Sequence, residues 1–216
     1  MSNLPENQEQ VVDIYRRRAK GYDNSGISGL EPRRKEAVRT LNLKRGDLVV
    51  DIGCGTGLNF ALLQEAVGPE GRIIGVDLTD AMLDQARRRV SEHRWTNVEL
   101  VQSDAAQYTF PEQIDGIISV FALSFIPDRA RVIQNGSKAL APGRKWVVLD
   151  MAWPNGWPLW LRHGLFFLSS WGITGDVIQH RPWKIVWQTM EQHLIDMQRK
   201  SFWMGFFYLA AGTRPR

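Results

Sequence analysis

Two acids and three glycines form the part of the chain best suited to chemistry. Asp51 comes two residues before three glycines at alternate positions, which are Gly53, Gly55 and Gly57. Glycine allows a positive φ and lets a ligand approach the bare backbone. Asp77 follows the last glycine by twenty residues. An acid at that distance can accept hydrogen bonds from both hydroxyls of a ribose, while Asp51 can accept from an ammonium group. The pattern therefore predicts a ligand with a ribose end and an amino-acid end.

The glycine spacing distinguishes this stretch from a dinucleotide-binding fingerprint. That fingerprint reads G-x-G-x-x-G and also carries an acid at the tip of the second strand. Here the glycines alternate, and Asp51 would repel a pyrophosphate. A ligand without phosphate groups therefore fits both acids better than a dinucleotide does. A nucleotide site of another kind, on a similar sheet, is the alternative interpretation.

Apolar patterning places the glycines in a turn between a strand and a helix. Val49, Val50 and Ile52 are β-branched, as a buried parallel strand requires, and residues 60–67 carry apolar side chains at helical spacing. A second apolar run ends at Asp77. The same patterning predicts further helices at 9–19, 31–41, 80–92 and 128–140, and further strands at 97–102, 114–121, 145–150 and 206–211.

The run Val-Val-Asp-Ile-Gly-Cys-Gly-Thr-Gly closely resembles the first motif of the class I S-adenosylmethionine-dependent methyltransferases. Three later stretches, 75–83, 102–106 and 118–128, resemble the family's following motifs, so that the resemblance covers about residues 10 to 150. It implies a single domain over residues 1–216 with an α/β fold, a doubly wound, mostly parallel seven-stranded sheet with helices on both faces. An inactive protein that keeps this fold is the alternative.

The resemblance implies S-adenosylmethionine as the methyl donor and S-adenosylhomocysteine as its product. Asp77 is expected to bind the ribose, Asp104 the exocyclic amine of the adenine, and the Ala105 amide a ring nitrogen. Cys54 lies inside the glycine turn, where a packing role is the simpler interpretation. The full set expected around the donor is Tyr22, Asp51, Gly53, Cys54, Gly55, Gly57, Asp77, Leu78, Met82, Asp104, Ala105, Val120 and Phe121.

Residues 1–30 are expected to form a lid. Their run Ile-Tyr-x-x-x-Ala-x-x-Tyr-Asp resembles a segment that folds over the bound donor in relatives of this kind. Tyr22 would then cover the methionine end, with a packed aromatic as the equal alternative. Gly21 interrupts the predicted helix directly before this tyrosine.

Aromatic residues concentrate after the fifth strand. Seven of the nine tryptophans fall between Trp153 and Trp203. The sequence therefore predicts that residues 151–200 form an aromatic-rich insertion on the substrate side, with a helix packed on the sheet as the alternative. The expected acceptor is apolar or lipid-like, either a phosphatidylethanolamine amine or a quinone-type ring. Residues 203–212 weakly resemble the closing hairpin of methyltransferases for such acceptors.

Candidates for substrate binding and proton transfer come from the same region. Trp153 and Arg181 are the substrate-binding candidates, because an arginine can pair with an anionic head group. Small water-soluble acceptors, a protein acceptor and a non-catalytic role stay open as alternatives. The catalytic candidates are Tyr22, His163, His180 and, at the end of the fifth strand, Asp150.

The composition fits one enzyme domain. The chain has 216 residues, a formal net charge of +4 and one cysteine, which excludes an internal disulfide. No metal site is predicted. No nucleic-acid partner is expected either, because the basic clusters at 16–20, 33–35 and 87–89 lack interleaved aromatics. An anionic membrane contact and the oligomeric state stay open. The polar start, without a signal peptide, predicts a cytoplasmic protein.

Overall fold

The computed structural model describes residues 6–24, 30–154 and 180–216 of the chain. Residues 155–179, with His163 and the middle of the predicted aromatic insertion, lie outside the described residues. Residues 1–5 and 25–29 of the predicted lid also lie outside them.

Six α-helices and seven strands form the described part of the chain. The helices are α1 (Glu6–Arg18), α2 (Glu31–Leu41), α3 (Phe60–Val67), α4 (Asp80–Glu92), α5 (Arg129–Ala139) and α6 (Pro182–His193). The strands are β1 (Leu48–Ile52), β2 (Arg72–Asp77), β3 (Val98–Gln102), β4 (Ile114–Val120), β5 (Leu140–Met151), β6 (Ile195–Phe202) and β7 (Phe207–Thr213). Short 3-10 helices lie at Ala19–Asn24, Leu123–Phe125 and Trp203–Gly205. Within the described residues, none of these helices has the length and apolar character that crossing a membrane requires.

All seven strands join one sheet in the order β3-β2-β1-β4-β5-β7-β6. The pairs from β3 to β5 are parallel, and β7 runs antiparallel to both β5 and β6. This arrangement confirms the predicted α/β fold with its mostly parallel sheet. The order reverses beside β1, and such a switch point opens a crevice at the carboxyl ends of the strands.

Helices cover the sheet on both faces. Val49 in β1 packs in one core with Phe60 of α3, together with residues of α2 and α4. Its neighbour Val50 packs in the other core with Ile133 of α5 and Val186 of α6. Adjacent strand residues point to opposite faces, so each must meet an apolar layer. This double burial explains why the strands read as nearly continuous apolar runs.

The boundaries differ from the predicted ones where backbone geometry intervenes. β4 ends at Val120, one residue early, because Phe121 adopts a left-handed φ of 57°. β5 begins at Leu140 rather than at residue 145, and its pairing with β4 shifts register between Ile114 and Gly116. The first part of β5, before this irregularity, has no continuous strand pattern in the sequence. For this reason the predicted strand begins only at residue 145.

The region after β5 also differs from the sequence analysis. α6 packs against α5, and its Trp183 is buried in the core. β6 is the edge strand of the sheet. These elements belong to the sheet architecture, and Trp183 packs in its core. The insertion predicted for residues 151–200 stays a prediction, because residues 155–179 lie outside the described residues.

The amino ends of the central strands are tied by an ion cluster. Arg144 of β5 donates to both carboxylate oxygens of Asp47, at 3.0 and 3.1 Å, and lies 2.6 Å from the Asp115 carboxylate of β4. The Asp115 carboxylate also accepts from the Leu48 amide of β1 at 2.9 Å. One guanidinium therefore links the start of β1, β4 and β5, at the edge opposite the crevice.

Candidate functional site

A cavity of about 870 Å³, counting its open mouth, lies at the carboxyl ends of β1, β2 and β4. Its described lining combines backbone of the glycine turn with acids, apolar side chains and a buried arginine. The lining includes Val11, Val12, Tyr15, Tyr22, Arg34, Gly53, Cys54, Gly55, Thr56, Leu58, Asn59, Val76, Asp77, Leu78, Thr79, Met82, Ser103, Asp104, Ala105, Val120, Phe121, Ala122, Phe125 and Ile126.

The glycine turn presents bare backbone to this cavity. Gly53 has a φ of 68°, and a Cβ added there would lie 2.2 Å from the Ala122 Cβ. Its amide and that of Cys54 both donate to the Val76 carbonyl, at 2.8 and 3.0 Å. The turn is therefore fixed to β2, and no side chain fits between it and the residues after β4.

Gly57 has a packing role in the structure, and its predicted part in donor binding stays a prediction. It is not part of the described lining, and a Cβ added to it would lie 2.5 Å from the Phe60 ring. Its φ is 79°. A glycine is therefore needed here for the entry into α3 and its packing. Cys54 lines the cavity but is buried, and burial raises the pKa of its thiol well above the usual value.

Asp77 faces the cavity from the end of β2. Its carboxylate accepts from the amides of Gly55 and Thr79, each at 2.8 Å. Burial raises the pKa of this carboxyl, and the amide hydrogen bonds oppose the rise. Each carboxylate oxygen keeps further acceptor capacity, so Asp77 can stabilise the turn and still accept from two ligand hydroxyls.

The loop after β3 supplies the second acid of the cavity. The Asp104 carboxylate accepts from the Ala106 amide at 2.9 Å, and Ala105 lines the cavity beside it. Leu78 and Met82, which follow Asp77, lie on the same lining. An apolar slot with a carboxylate and a backbone amide at its end suits a flat ring that carries an amino group.

Asp51 lies behind the cavity wall. It is fully buried and is not part of the described lining. Its carboxylate accepts from the side-chain amide of Asn59 at 2.9 Å. Asn59 in turn accepts from Arg34 at 3.0 Å, and both of these residues line the cavity. Burial raises the pKa of the Asp51 carboxyl to about 7, opposed by the Asn59 hydrogen bond and the Arg34 charge. Asp51 therefore fixes the Asn59 side chain, which in turn holds Arg34, and the ammonium contact predicted for Asp51 stays a prediction.

Phe121 forms the cavity wall at the end of β4, next to Val120. Its left-handed backbone is unusual for a bulky residue, and such strain concentrates at functional sites. The ring lies 5.6 Å from the Arg34 guanidinium and meets Phe207 edge-on at 5.8 Å. Phe121 therefore lies between the buried Arg34 and the Phe207 ring of β7.

Helix α1 closes the cavity from outside. Tyr15 lies 6.0 Å from both the Tyr22 and the Phe125 rings, and all three line the cavity. Burial raises the pKa of both tyrosine hydroxyls, so each stays protonated at neutral pH. The described part of the predicted lid therefore covers the cavity, while its motion stays a prediction.

Two polar contacts hold this cover in place. Arg16 of α1 donates to both carboxylate oxygens of Asp80 on α4, at 3.0 and 3.2 Å. Asp23, beyond α1, pairs with Arg89 and accepts from the Thr56 hydroxyl at 2.6 Å. The contact between Asp23 and Thr56 joins the cover to the glycine turn itself.

Several predicted residues are not brought to the cavity. Trp153 is buried and meets the Phe206 ring edge-on at 5.9 Å, while His180 and Arg181 are exposed. None of these three is in the described lining. Asp150 is fully buried, and its carboxylate accepts from the Ser124 amide at 2.9 Å. Burial raises the pKa of Asp150 to about 6.

Several lining residues escaped the sequence analysis. Arg34 belongs to the basic cluster at 33–35, yet it stands at helical spacing before Ala37, Val38 and Leu41, all buried on α2. That spacing is the signal that could have found it. Thr56 and Asn59 lie in or directly after the glycine turn, and this position is the signal for them. No short-range signal marks Tyr15, Phe125 and Ile126, since tertiary packing brings them to the cavity. Among the described residues, no group of three metal-ligating side chains occurs.

A family model described as a methyltransferase domain matches residues 49–143. Demethylmenaquinone methyltransferase from Listeria monocytogenes serotype 4a is 32% identical over 157 residues, which cover 69% of this chain and 66% of that protein. The enzyme of the same name from Bacillus cereus is 30% identical over 152 residues, covering 68% of this chain and 64% of that protein. The chain thus spans just under two thirds of the length of these curated relatives.

Solved structures share the fold at lower identity. A SAM-dependent methyltransferase from Aquifex aeolicus has a TM-score of 0.62 and 16% identity, with 84% of this chain and 89% of that chain covered. Geranyl diphosphate C-methyltransferase from Streptomyces coelicolor, solved with S-adenosyl-L-homocysteine, has a TM-score of 0.68 and 16% identity, with 85% and 76% covered. These similarities show the fold alone.

Proposed function

The chain belongs to the class I S-adenosylmethionine-dependent methyltransferases, and on that premise we propose that it transfers a methyl group from S-adenosylmethionine to a quinone-type ring. The observation that carries the proposal is the cavity between the glycine turn and the loop after β3. It holds two carboxylates, Asp77 and Asp104, on one lining with the buried Arg34. A ligand with an adenine, a ribose and an amino acid matches these groups.

The cavity residues fit S-adenosylmethionine end by end. Asp77 would accept from the ribose hydroxyls, and Asp104 with Ala105 would meet the adenine. The bare backbone at Gly53 allows close approach of the ligand, since a Cβ there has no room. Arg34 would pair with the carboxylate of the amino-acid end. This role concerns the carboxylate, whereas the sequence analysis assigned Asp51 to the ammonium of the same end.

When bound, S-adenosylmethionine supplies an electrophilic methyl group on its sulfonium. The protein must orient the acceptor and keep water out, and orientation alone contributes about 7 to 11 kcal/mol of barrier lowering. Tyr15, Tyr22 and Phe125 provide the cover that excludes water. The Tyr22 hydroxyl, whose pKa burial raises further, is protonated at neutral pH and can donate a hydrogen bond to an acceptor oxygen.

The acceptor proposal rests on the curated relatives and on the apolar wall. The relatives are named for methylation of a demethylated menaquinone, and they match over more than two thirds of this chain. Phe121, Phe125 and Ile126 provide an apolar wall beside the donor site. A phosphatidylethanolamine amine is the competing lipid-like acceptor. Since either acceptor resides in a bilayer, the proposal includes contact with an anionic membrane surface.

Methyl-labelled S-adenosylmethionine tests the acceptor class. Purified protein receives, in separate reactions, a reduced short-chain naphthoquinol, phosphatidylethanolamine in vesicles, and a mixture of soluble amines and phenols. We expect label on a ring carbon of the naphthoquinol and none in the other two reactions. Asp77→Ala, at an S-adenosylmethionine concentration that does not saturate it, serves as the control with weakened donor binding. Label in phosphatidylethanolamine or in the soluble mixture alone would overturn the quinone assignment.

A further inference from the structure

The turn between β6 and β7 exposes two large apolar side chains. Trp203 is 58% exposed and Met204 is 76% exposed, more than any other large apolar residue in the described part of the chain. Both have a left-handed backbone, with φ values of 47° and 55°. Bulky residues rarely adopt this conformation. The turn therefore holds two apolar side chains in water on a strained backbone, although packing alone would favour burying them.

This turn lies at the same edge of the sheet as the cavity. β6 is parallel to β1 through β5, so its last residue, Phe202, leads into the turn at their carboxyl ends. The Trp203 ring meets Phe207 edge-on at 5.3 Å, and Phe207 meets Phe121 at 5.8 Å. Phe121 lines the cavity. A continuous row of three rings therefore leads from the cavity wall to the exposed turn.

Cations flank the turn. The Arg33 guanidinium lies 4.2 Å and the Lys200 ammonium 5.3 Å from the ring of Phe202, which directly precedes Trp203. Both cations pair with Glu36, so this group carries one positive charge in excess. An excess positive charge beside exposed apolar side chains suits a surface that meets anionic lipid head groups.

We propose that the Trp203–Met204 turn docks the protein on an anionic phospholipid bilayer, with the cavity facing the acceptor dissolved in it. Tryptophan is favoured at the membrane interface, and the turn carries the positive charge that an anionic bilayer attracts. The proposal rests on the proposed function in one respect, because a quinone-type acceptor is what brings the enzyme to a bilayer.

Vesicle co-sedimentation tests the docking turn. Wild-type protein is mixed with vesicles of phosphatidylcholine alone or of phosphatidylcholine with phosphatidylglycerol. The variant is Met204→Asp, since aspartate tolerates a left-handed backbone. The matched control is Ile195→Asp, because Ile195 is 48% exposed at the opposite end of the same strand. We expect binding to the anionic vesicles that Met204→Asp weakens by at least about fivefold, while Ile195→Asp changes it less than about twofold.

Equal binding of Met204→Asp and wild type, or no vesicle binding by wild type, would overturn the docking proposal. A dimer that the Met204→Asp substitution dissociates in light scattering would do the same, because the turn would then contact a second copy. Binding of S-adenosylhomocysteine, measured in parallel without vesicles, separates this outcome from failure of the proposed function. Met204→Asp should leave that affinity unchanged. Loss of vesicle binding with intact S-adenosylhomocysteine binding would then show that the substitution affects membrane docking and not the donor site.

Discussion

At the residue scale, Asp77 and Arg34 are assigned to opposite ends of one ligand, and two probes can separate them. Asp77→Ala removes the acceptor for ribose hydroxyls, so it should lower the affinity for both adenosine and S-adenosylhomocysteine by about 10- to 100-fold. Arg34→Gln should lower the affinity for S-adenosylhomocysteine by about tenfold or more. The affinity for adenosine should not change, because adenosine lacks the carboxylate. Isothermal titration calorimetry measures all four affinities.

Asp84→Ala is the control for these variants, since Asp84 lies on α4 with an exposed carboxylate paired to Arg87. Its affinities should equal those of the wild type. If Arg34→Gln weakened adenosine as much as S-adenosylhomocysteine, the arginine would hold the cavity shape rather than the carboxylate. An unchanged affinity in Asp77→Ala would remove the ribose assignment.

Asp51 gives the molecule a pH-dependent stability. Burial raises its pKa to about 7 in the folded protein, against about 3.9 for an unfolded aspartate. The folded state therefore binds more protons between these values, and its free energy of unfolding falls as pH rises through that window. Asp51→Asn removes this group. The free energy of unfolding that is lost between pH 4 and pH 7 should therefore be smaller in the variant than in the wild type, by up to about 4 kcal/mol.

Urea denaturation at pH 4 and pH 8 checks this prediction. Asp150 has a pKa raised to about 6 by burial and contributes a slope of the same sign, so part of the dependence should persist in Asp51→Asn. An identical pH dependence in the variant and the wild type would contradict the assignment.

At the element scale, α1 acts as the cover of the cavity. Tyr15→Ala removes a ring from the cavity side of the helix and should raise the dissociation constant of S-adenosylhomocysteine by at least about fivefold. The control is Ile14→Ala, since this neighbour is 40% exposed and is not in the described lining. It should change the affinity less than about twofold. Similar effects of both substitutions, seen by calorimetry, would mean that helix stability rather than covering is being measured.

The ion cluster at the opposite edge is expected to matter for stability alone. Arg144→Met leaves Asp47 and Asp115 partly buried without their cation, and should lower the free energy of unfolding by about 1.5 to 3 kcal/mol. Arg72→Met, which breaks the exposed pair with Glu99, should cost less than about 1 kcal/mol. Urea denaturation compares the two. A change in S-adenosylhomocysteine affinity in Arg144→Met would contradict the separation of the two edges.

At the scale of the whole molecule, local signals predicted the parallel part of the sheet and one side of the cavity. The strand-glycine-helix pattern around Gly53 and the acid at Asp77 are short-range features, so the sequence shows them directly. The opposite side depends on segments far apart in the chain. Tyr15 comes to Phe125, and Thr56 to Asp23, only through packing that no single-sequence periodicity encodes.

The later part of the chain was harder to predict for a related reason. Its abundant tryptophans indicated a substrate-side insertion, yet Trp183 is a buried core residue of α6, and β6 is a largely exposed edge strand with a weak apolar pattern. The left-handed backbone at Phe121, Trp203 and Met204 has no sequence signature either, because bulky residues are the least expected there.

The central claim is that the cavity binds S-adenosylmethionine rather than a dinucleotide. The most direct test is a calorimetric titration of the wild-type protein with S-adenosylhomocysteine and, separately, with NAD. The account predicts one site for S-adenosylhomocysteine with micromolar affinity or better and no binding of NAD. Binding of NAD without binding of S-adenosylhomocysteine would contradict it.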